Sequence, residues 1–550
     1  MKIAIAQINP TIGAFEANVK KILEAYQRAC QEGARLLLTP EMSICGYPPH
    51  DLIERPEIFD RCEKALNELK KATKGQKCAL AVGSVDRNPD TMGRPAQNVA
   101  WILENGEVAL RQPKTLLPTY DVFDESRYFE PAHEIKLWDA GDGVRVAVAV
   151  CEDLWAKDPA RQRNIYSIDP VDRYKAAKAN LIVSLSSSPY EWGKWKRREA
   201  LHSGVAQTVG APLVYVNQIG SNDEILFDGG SFSCDAHGKK LGRLSFFEEG
   251  FACVDTQTGK WDSETKATEA PQEIELVRRG LVLGIRDYFI KTGFKSAILG
   301  LSGGIDSAVV AALAVEALGK KQVLGVAMPS QYSSGHSLED AEILAKNLGI
   351  ELQVRPIKFL FATSGREIGG TLEALAPIAQ ENLQSRLRGL ILMTLSNHRN
   401  ALVLTTGNKS EMATGYCTLY GDMVGGLAPI GDLYKTRVYE LARWMNAQGG
   451  DIIPQRTITK APSAELKPGQ TDQDTLPPYD DLDHVLEDYL ENSVPIQTLK
   501  SQYGTWVEDI LRRIEANEYK RRQAAPVLKI TQKAFGIGRK IPIAKIWDQN

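Results

Sequence analysis

Short apolar runs broken by polar turns fill the first half of the chain. KIAIAQI (2–8) reads as a strand, and Phe15–Gln31 then repeats Val19, Ile22, Leu23, Tyr26 and Ala29 at helical spacing. Further strand-like runs follow: RLLLTPE (35–41), KCALAVGSV (77–85), VRVAVAVC (144–151), NLIVSLSSS (180–188) and PLVYVNQIG (212–220). NVAWILENGEV predicts a hairpin, SCDAHGKKLG a polar hairpin, and GFACVDT a closing strand. Many short strands with helices between them predict an α/β, layered αββα unit over residues 1–255.

Residues 256–272 are polar and aperiodic, which predicts a linker. From 273 the pattern changes. A helix over 273–292 leads to the strand AILGL. QVLGVAMP, ELQVRPI and ALVLTT follow, with helical segments between them. This βαβα rhythm predicts a doubly wound parallel sheet within 273–550. Residues 456–481 form a long, proline-bearing polar segment, of the kind that is usually a lid or disordered. The tail from 482 reads as helical with a basic end. No internal repeat relates the two halves.

Composition changes this picture little. The 550 residues exceed one ordinary core. A net charge of −3 offers no field for nucleic acid, so no nucleic-acid partner is expected. Eight cysteines without a C-x-x-C pair, several in apolar runs, suggest reduced thiols in the cytoplasm. No signal peptide and no membrane-spanning run is expected.

Chemistry enters with ILGLSGGIDSA (298–308), an apolar strand that runs into a glycine pair and then a helix. Such a loop turns backbone N–H groups toward an anion. It lacks the lysine that a Walker loop extends to the β- and γ-phosphates. Ser302, Gly303, Gly304 and Ser307 can instead cradle a pyrophosphate, with Asp306 placed to hold Mg²⁺ against it. The plainer alternative is a tight turn with a polar cap.

The loop resembles the pyrophosphate-binding motif of the ATP pyrophosphatase group, which implies a Rossmann-like domain that forms an adenylate from ATP. LTTGNKSEMATGYCTLYGD (404–422) resembles the ATP and metal segment of the NAD synthetases. The resemblance implies that Thr406 contacts ATP, and that Glu411 is the second Mg²⁺ carboxylate and lies at the deamido-NAD site. Lys435, in IGDLYKTR, matches the family's lysine near the ATP phosphates. ENLQSRLRGLILMTLSN (381–397) resembles its dimer-interface helix, with Arg388 toward deamido-NAD. EYKRRQAAP (518–526) resembles its basic motif, with Lys520 on the same substrate. Read without that resemblance, Glu411 is an exposed helix residue and KRRQ a solvated helix end.

In the first half, TPEMSICGY holds Glu41 and RQPKTLLPTYDVFDESRYF holds Lys114. VAVAVCEDLW puts Cys151 where an apolar run stops. Singly, each reads as structural, and Cys151 as a buried thiol. Together the three resemble the nitrilase, or carbon–nitrogen hydrolase, superfamily. SSSPYEWGKWKRRE (186–199) carries that resemblance further, which implies that Tyr120, Ser188 and Lys194 position glutamine. The triple serine leaves Ser186 and Ser188 as alternatives. The implied chemistry is amide hydrolysis by a Cys151 thiolate, with Glu41 as base and Lys114 on the oxyanion. A nitrilase-like unit ahead of a synthetase unit resembles the glutamine-dependent NAD synthetase family. Its members use ATP, Mg²⁺, glutamine and deamido-NAD and are homo-oligomers, from dimer to octamer. The alternatives are another acid acceptor and a catalytically silent nucleotide sensor.

Overall fold

The computed structural model describes residues 1–158, 163–263 and 271–546. It divides into two compact units, Met1–Pro271 and Gln272–Asn550.

In the first unit, seven strands form one sheet. Their spatial order is Trp261–Ser263, Gly250–Asp255, Lys2–Gln7, Leu36–Leu38, Ala79–Arg87, Ala96–Glu104 and Glu107–Pro113. Six strands form a second sheet, in the order Lys240–Arg243, Phe232–Cys234, Leu213–Asn217, Leu181–Ser186, Arg145–Val150 and Leu137–Asp139. The strands at the centre of each sheet run parallel. Alternation then decides what each face meets. Val146, Val148 and Val150 join Ile3, Ile5, Leu36 and Leu38 in the core between the sheets. Ala147 and Ala149 point the other way, into a layer with Tyr174 and Val205 of the covering helices Pro170–Ala176 and Lys194–Val209. Each such aliphatic side chain, fully buried, contributes roughly 1.5–3 kcal/mol. The expected hairpin closes on Asn105 and Gly106, both at positive φ, as a two-residue turn between paired strands requires.

GFACVDT does not close the series. Trp261–Ser263, inside the stretch that reads as a linker, adds an edge strand on Gly250–Asp255. A three-residue strand is too short to show periodicity. Residues 264–270 of that stretch lie outside the described residues.

The second unit begins with the helix Glu273–Thr292. Its four strands are all parallel, in the order Glu351–Val354, Val323–Ala327, Ala297–Gly300 and Leu402–Val403. The direction of winding reverses between the last two, and in such sheets ligands bind beyond the strand ends at that reversal. Ile298, Leu324, Val326 and Val403 pack on Leu392 of the helix Pro377–Arg399. ALVLTT yields only a two-residue strand.

Two expectations are corrected here. Residues 456–481 are ordered, with short helical turns at Gln455–Thr459 and Asp472–Asp474. Their polar groups have partners: Arg456 on Asp340 at 2.8 Å, and the Leu466 carbonyl accepting from Gln384 at 2.9 Å. The tail is helical only to Arg521, after which Val527 bridges to Ala428. Arg521 is not solvated. It is buried, and it donates to the Met412 and Ala413 carbonyls at 3.0 and 2.9 Å.

Candidate functional site

In the first unit, four strand ends converge. Glu41 follows Leu36–Leu38, and Lys114 follows Glu107–Pro113. Cys151 follows Arg145–Val150, and Ser187 follows Leu181–Ser186. Glycine at 83 is a packing requirement, because a Cβ there would lie 2.4 Å from the Met42 nitrogen. Lys114 Nζ lies 2.8 Å from Glu41 Oε1 and 2.8 Å from Glu125 Oε1. Glu41 Oε1 also accepts from Asn98 at 2.7 Å, and its Oε2 accepts from the Ser187 amide at 2.9 Å. Tyr47 donates to Glu125 at 2.9 Å. All these groups are buried.

Cys151 opens a short 3-10 turn at φ +44, a strained posture for a residue with a side chain. Asp153 holds that turn. Its carboxylate accepts from the amides of Val150, Thr115 and Leu116 at 2.9–3.0 Å, which ties the cysteine turn to the lysine segment. Burial pushes Asp153 up to about 6. Burial, followed by the Glu41 charge, also drives the Cys151 thiol well above its ordinary value, although Lys114 pulls the other way. Burial thus favours the protonated thiol, which agrees with the expectation that a base must take its proton, and Glu41 is the neighbouring carboxylate. Burial and Glu41 raise Glu125 to about 7 against the pull of Lys114.

Around this set, Tyr120 donates to Glu152 at 2.9 Å and is 36% exposed, so it stands at a mouth rather than in a core. Lys194 begins its helix with Nζ 5.8 Å from the Trp155 ring centroid. Ser188 is buried, with its amide on Asn217 at 2.8 Å, and Ser186 meets Ser184 at 3.2 Å. Ser187, between them, is the serine that reaches Glu41. The run quoted for Lys114 contains Glu125 without any local signal of it, because the contact depends on how that loop folds back.

In the second unit, the strand Ala297–Gly300 passes through Ser302, Gly303 and Gly304 into the helix Ile305–Leu318. Gly303 has φ +78, and a Cβ there would lie 2.3 Å from the Ser337 carbonyl oxygen, so only glycine fits. Ser302 and Ser307 meet at 3.2 Å, and Gly304 donates to Ser302 at 3.2 Å. Lys435 Nζ lies 2.5 Å from Asp306 Oδ2 and 3.5 Å from Glu411 Oε1. Asn408 donates to Asp306 Oδ1 at 2.9 Å. Burial and the Asp306 charge raise Glu411, while the two carboxylates raise Lys435 against burial.

Among the described residues no three His, Cys, Asp or Glu gather as a metal set. Two carboxylates suit Mg²⁺, which takes one or two such ligands and completes its shell with phosphate oxygens and water. The structure thus brings Asp306, Glu411 and Lys435 together. Thr406 is half-buried on the loop after the fourth strand. Arg388 is anchored elsewhere, with Nε on the Met328 carbonyl at 3.1 Å, beyond the second strand. Lys520 donates to the Gly415 and Cys417 carbonyls at 2.8 and 2.9 Å, at the far end of the Glu411 helix. Asn408 was legible: an asparagine three residues before a glutamate is a capping-box signature.

A family model described as carbon-nitrogen hydrolase matches residues 2–264, and one described as NAD synthase matches 277–524. The chain is 46% identical over 552 residues to a glutamine-dependent NAD(+) synthetase of Synechocystis sp., with 99% of this chain and 98% of that one covered. It is 40% identical over 580 residues to the glutamine-dependent NAD(+) synthetase of Thermotoga maritima, covering 99% and 98%. Among solved structures, it is similar to the glutamine-dependent NAD+ synthetase of Acinetobacter baumannii in complex with adenosine diphosphate. There the TM-score is 0.77 at 36% identity, over 100% of this chain and 99% of that one.

Proposed function

The chain belongs to the glutamine-dependent NAD(+) synthetases, and from that premise we propose how its two sites divide the reaction. The observation that carries the proposal is a pair of buried lysines, each between two carboxylates. One stands beside a cysteine, and the other beside a glycine loop built for an anion.

At the first site, Cys151 Sγ attacks the side-chain amide carbon of glutamine while Glu41 takes the thiol proton. Lys114 stabilises the oxygen as it gains charge. Glu41 returns the proton to the departing nitrogen and ammonia leaves. Glu41 then activates the water that frees glutamate from the sulfur. Tyr120, Ser188 and Lys194 position the glutamine.

At the second site, the nicotinate carboxylate of deamido-NAD attacks the α-phosphorus of ATP and pyrophosphate leaves. Ammonia then displaces AMP and NAD forms. Ser302, Gly303, Gly304 and Ser307 hold the phosphates, with Thr406 and Lys435 on ATP. Arg388, Glu411 and Lys520 serve deamido-NAD. Asp306 and Glu411 would hold Mg²⁺, which when bound offsets the charge of the departing pyrophosphate.

The amidohydrolase domain runs past 255 to at least Ser263, since Trp261–Ser263 extends its sheet, and the synthetase domain begins with the helix at Glu273. Exposed Phe359, Ile368, Ile378 and Leu390, on two neighbouring helices, support a homo-oligomer between dimer and octamer. All eight cysteines are free, which supports a cytoplasmic setting. No described helix is long and apolar enough to cross a membrane.

The test is product analysis by mass after mixing ATP, deamido-NAD and glutamine. NAD, AMP, pyrophosphate and glutamate are expected. ADP with orthophosphate would overturn the adenylate route.

A further inference from the structure

We propose that Asn408 is a positioning residue for the nucleotide's metal ion, because its side chain holds the Asp306 carboxylate and caps the turn that carries Glu411, while its main-chain amide meets the Glu411 carboxylate. Its Nδ2 donates to Asp306 Oδ1 at 2.9 Å, and its Oδ1 accepts from the Glu411 amide at 3.0 Å. Its own amide donates to Glu411 Oε2 at 3.3 Å. Asn408 is completely buried.

The residue type matters. Lys435 already occupies Asp306 Oδ2 and brings a positive charge. A neutral amide orients the other oxygen without cancelling the charge that a cation needs. Without it, Asp306 is free to turn wholly onto Lys435. That closed ion pair competes with the metal.

Asn408 is itself held in place. Its neighbour Lys409 is buried, with Nζ 2.9 Å from Asp432 Oδ1, 2.9 Å from Glu491 Oε1 and 3.0 Å from the Lys533 carbonyl. The Lys409 amide donates to the Leu433 carbonyl at 3.0 Å. The loop therefore cannot relax to make good a lost contact.

This inference rests on the reading of Asp306 and Glu411 as metal carboxylates, and its test separates the two. Asn408→Ser keeps a good helix cap but cannot reach Asp306. In the full chain, Mn²⁺ binding in the presence of ADP is read by paramagnetic resonance, and ADP binding is measured without metal. Far-UV dichroism and thermal melting of the full chain report that the second unit is folded. Mn²⁺ affinity is expected to fall about 10–100-fold, as losses of such outer partners do. Metal-free ADP binding is expected to stay within about twofold. Unchanged Mn²⁺ affinity overturns the inference, and so does an equal loss of metal-free ADP binding, which marks simple collapse. Asn408→Gly, also tolerated at a cap, carries the same expectation if the serine variant folds poorly. Asp306→Asn is the control. If it leaves Mn²⁺ affinity intact, the metal reading fails as well. If it lowers that affinity while Asn408→Ser does not, only the role of Asn408 fails.

Discussion

Lys114 and Lys435 invite comparison, since each is buried and sits between two acids. Lys114, Glu41 and Glu125 have side chains no more than 4% exposed, and both Glu41 oxygens also take neutral donors. That cage is closed. It can move a proton and face an oxyanion, but it has no opening for a further cation. Around Lys435 the Asp306 and Glu411 side chains remain 16% and 19% exposed, beside a loop that presents backbone N–H groups. That cage is open on the side where a triphosphate and its cation would enter. Under the proposed reaction, a lysine between two carboxylates would thus serve acid–base chemistry in one unit and phosphate chemistry in the other, according to what closes the fourth side.

The sharpest break in this comparison is Cys151→Ala. Glutamine-driven NAD formation is expected to fall on the order of 10⁴-fold, as loss of a nucleophile commonly costs. Synthesis from ammonium salt should persist in the same preparation. If both rates vanish, the cages are not separable. Asp306→Asn comes next, with both nitrogen sources losing about 10²–10³-fold through lost charge stabilisation. Near-normal NAD formation from ammonium would remove Asp306 from the second cage.

The contrast between the cages also shows what a linear sequence can carry. Strands such as Lys2–Gln7 and the helix Phe15–Gln31 were legible because burial of one face imposes a period. The glycine loop was legible because its constraint is local. Glu41, Lys114 and Cys151 could be grouped only through resemblance, since strands from two sheets bring them together. Glu125 and Asn98 were missed for the same reason: their partners lie 11 and 57 residues away. Of the two readings open for 456–481, disorder fails because its polar side chains are satisfied within the fold rather than by water. The edge strand Trp261–Ser263 was missed because three residues set no pattern.

Gly303→Ala sharpens the comparison at the open cage. The new methyl would lie 2.3 Å from the Ser337 carbonyl oxygen, in a backbone posture already at φ +78. The strain is about 1–3 kcal/mol. ATP-dependent synthesis should fall with either nitrogen source, while glutamate release in a glutaminase assay stays level. A synthetase rate equal to that of the unaltered chain would show that this loop tolerates a side chain and does not need its close approach.

The smallest effect concerns the closed cage. Burial raises Glu125 from an ordinary 4.5 to about 7. Between those values the folded chain binds a proton that the unfolded chain has released, so stability must fall as pH rises across that interval. The contribution is full below 4.5 and lost above about 7. Glu125→Gln removes the titration while keeping an oxygen for Lys114 to meet. Melting of the full-length protein is expected to drop by several °C less across that interval in the variant, since a rise of one pKa unit is worth about 1.4 kcal/mol and each kcal/mol about 2–4 °C in a domain of this size. Equal slopes for the two proteins would mean that Glu125 keeps its charge throughout. The front lysine would then face two full negative charges, and the closed cage would differ from the open one only in its access to solvent.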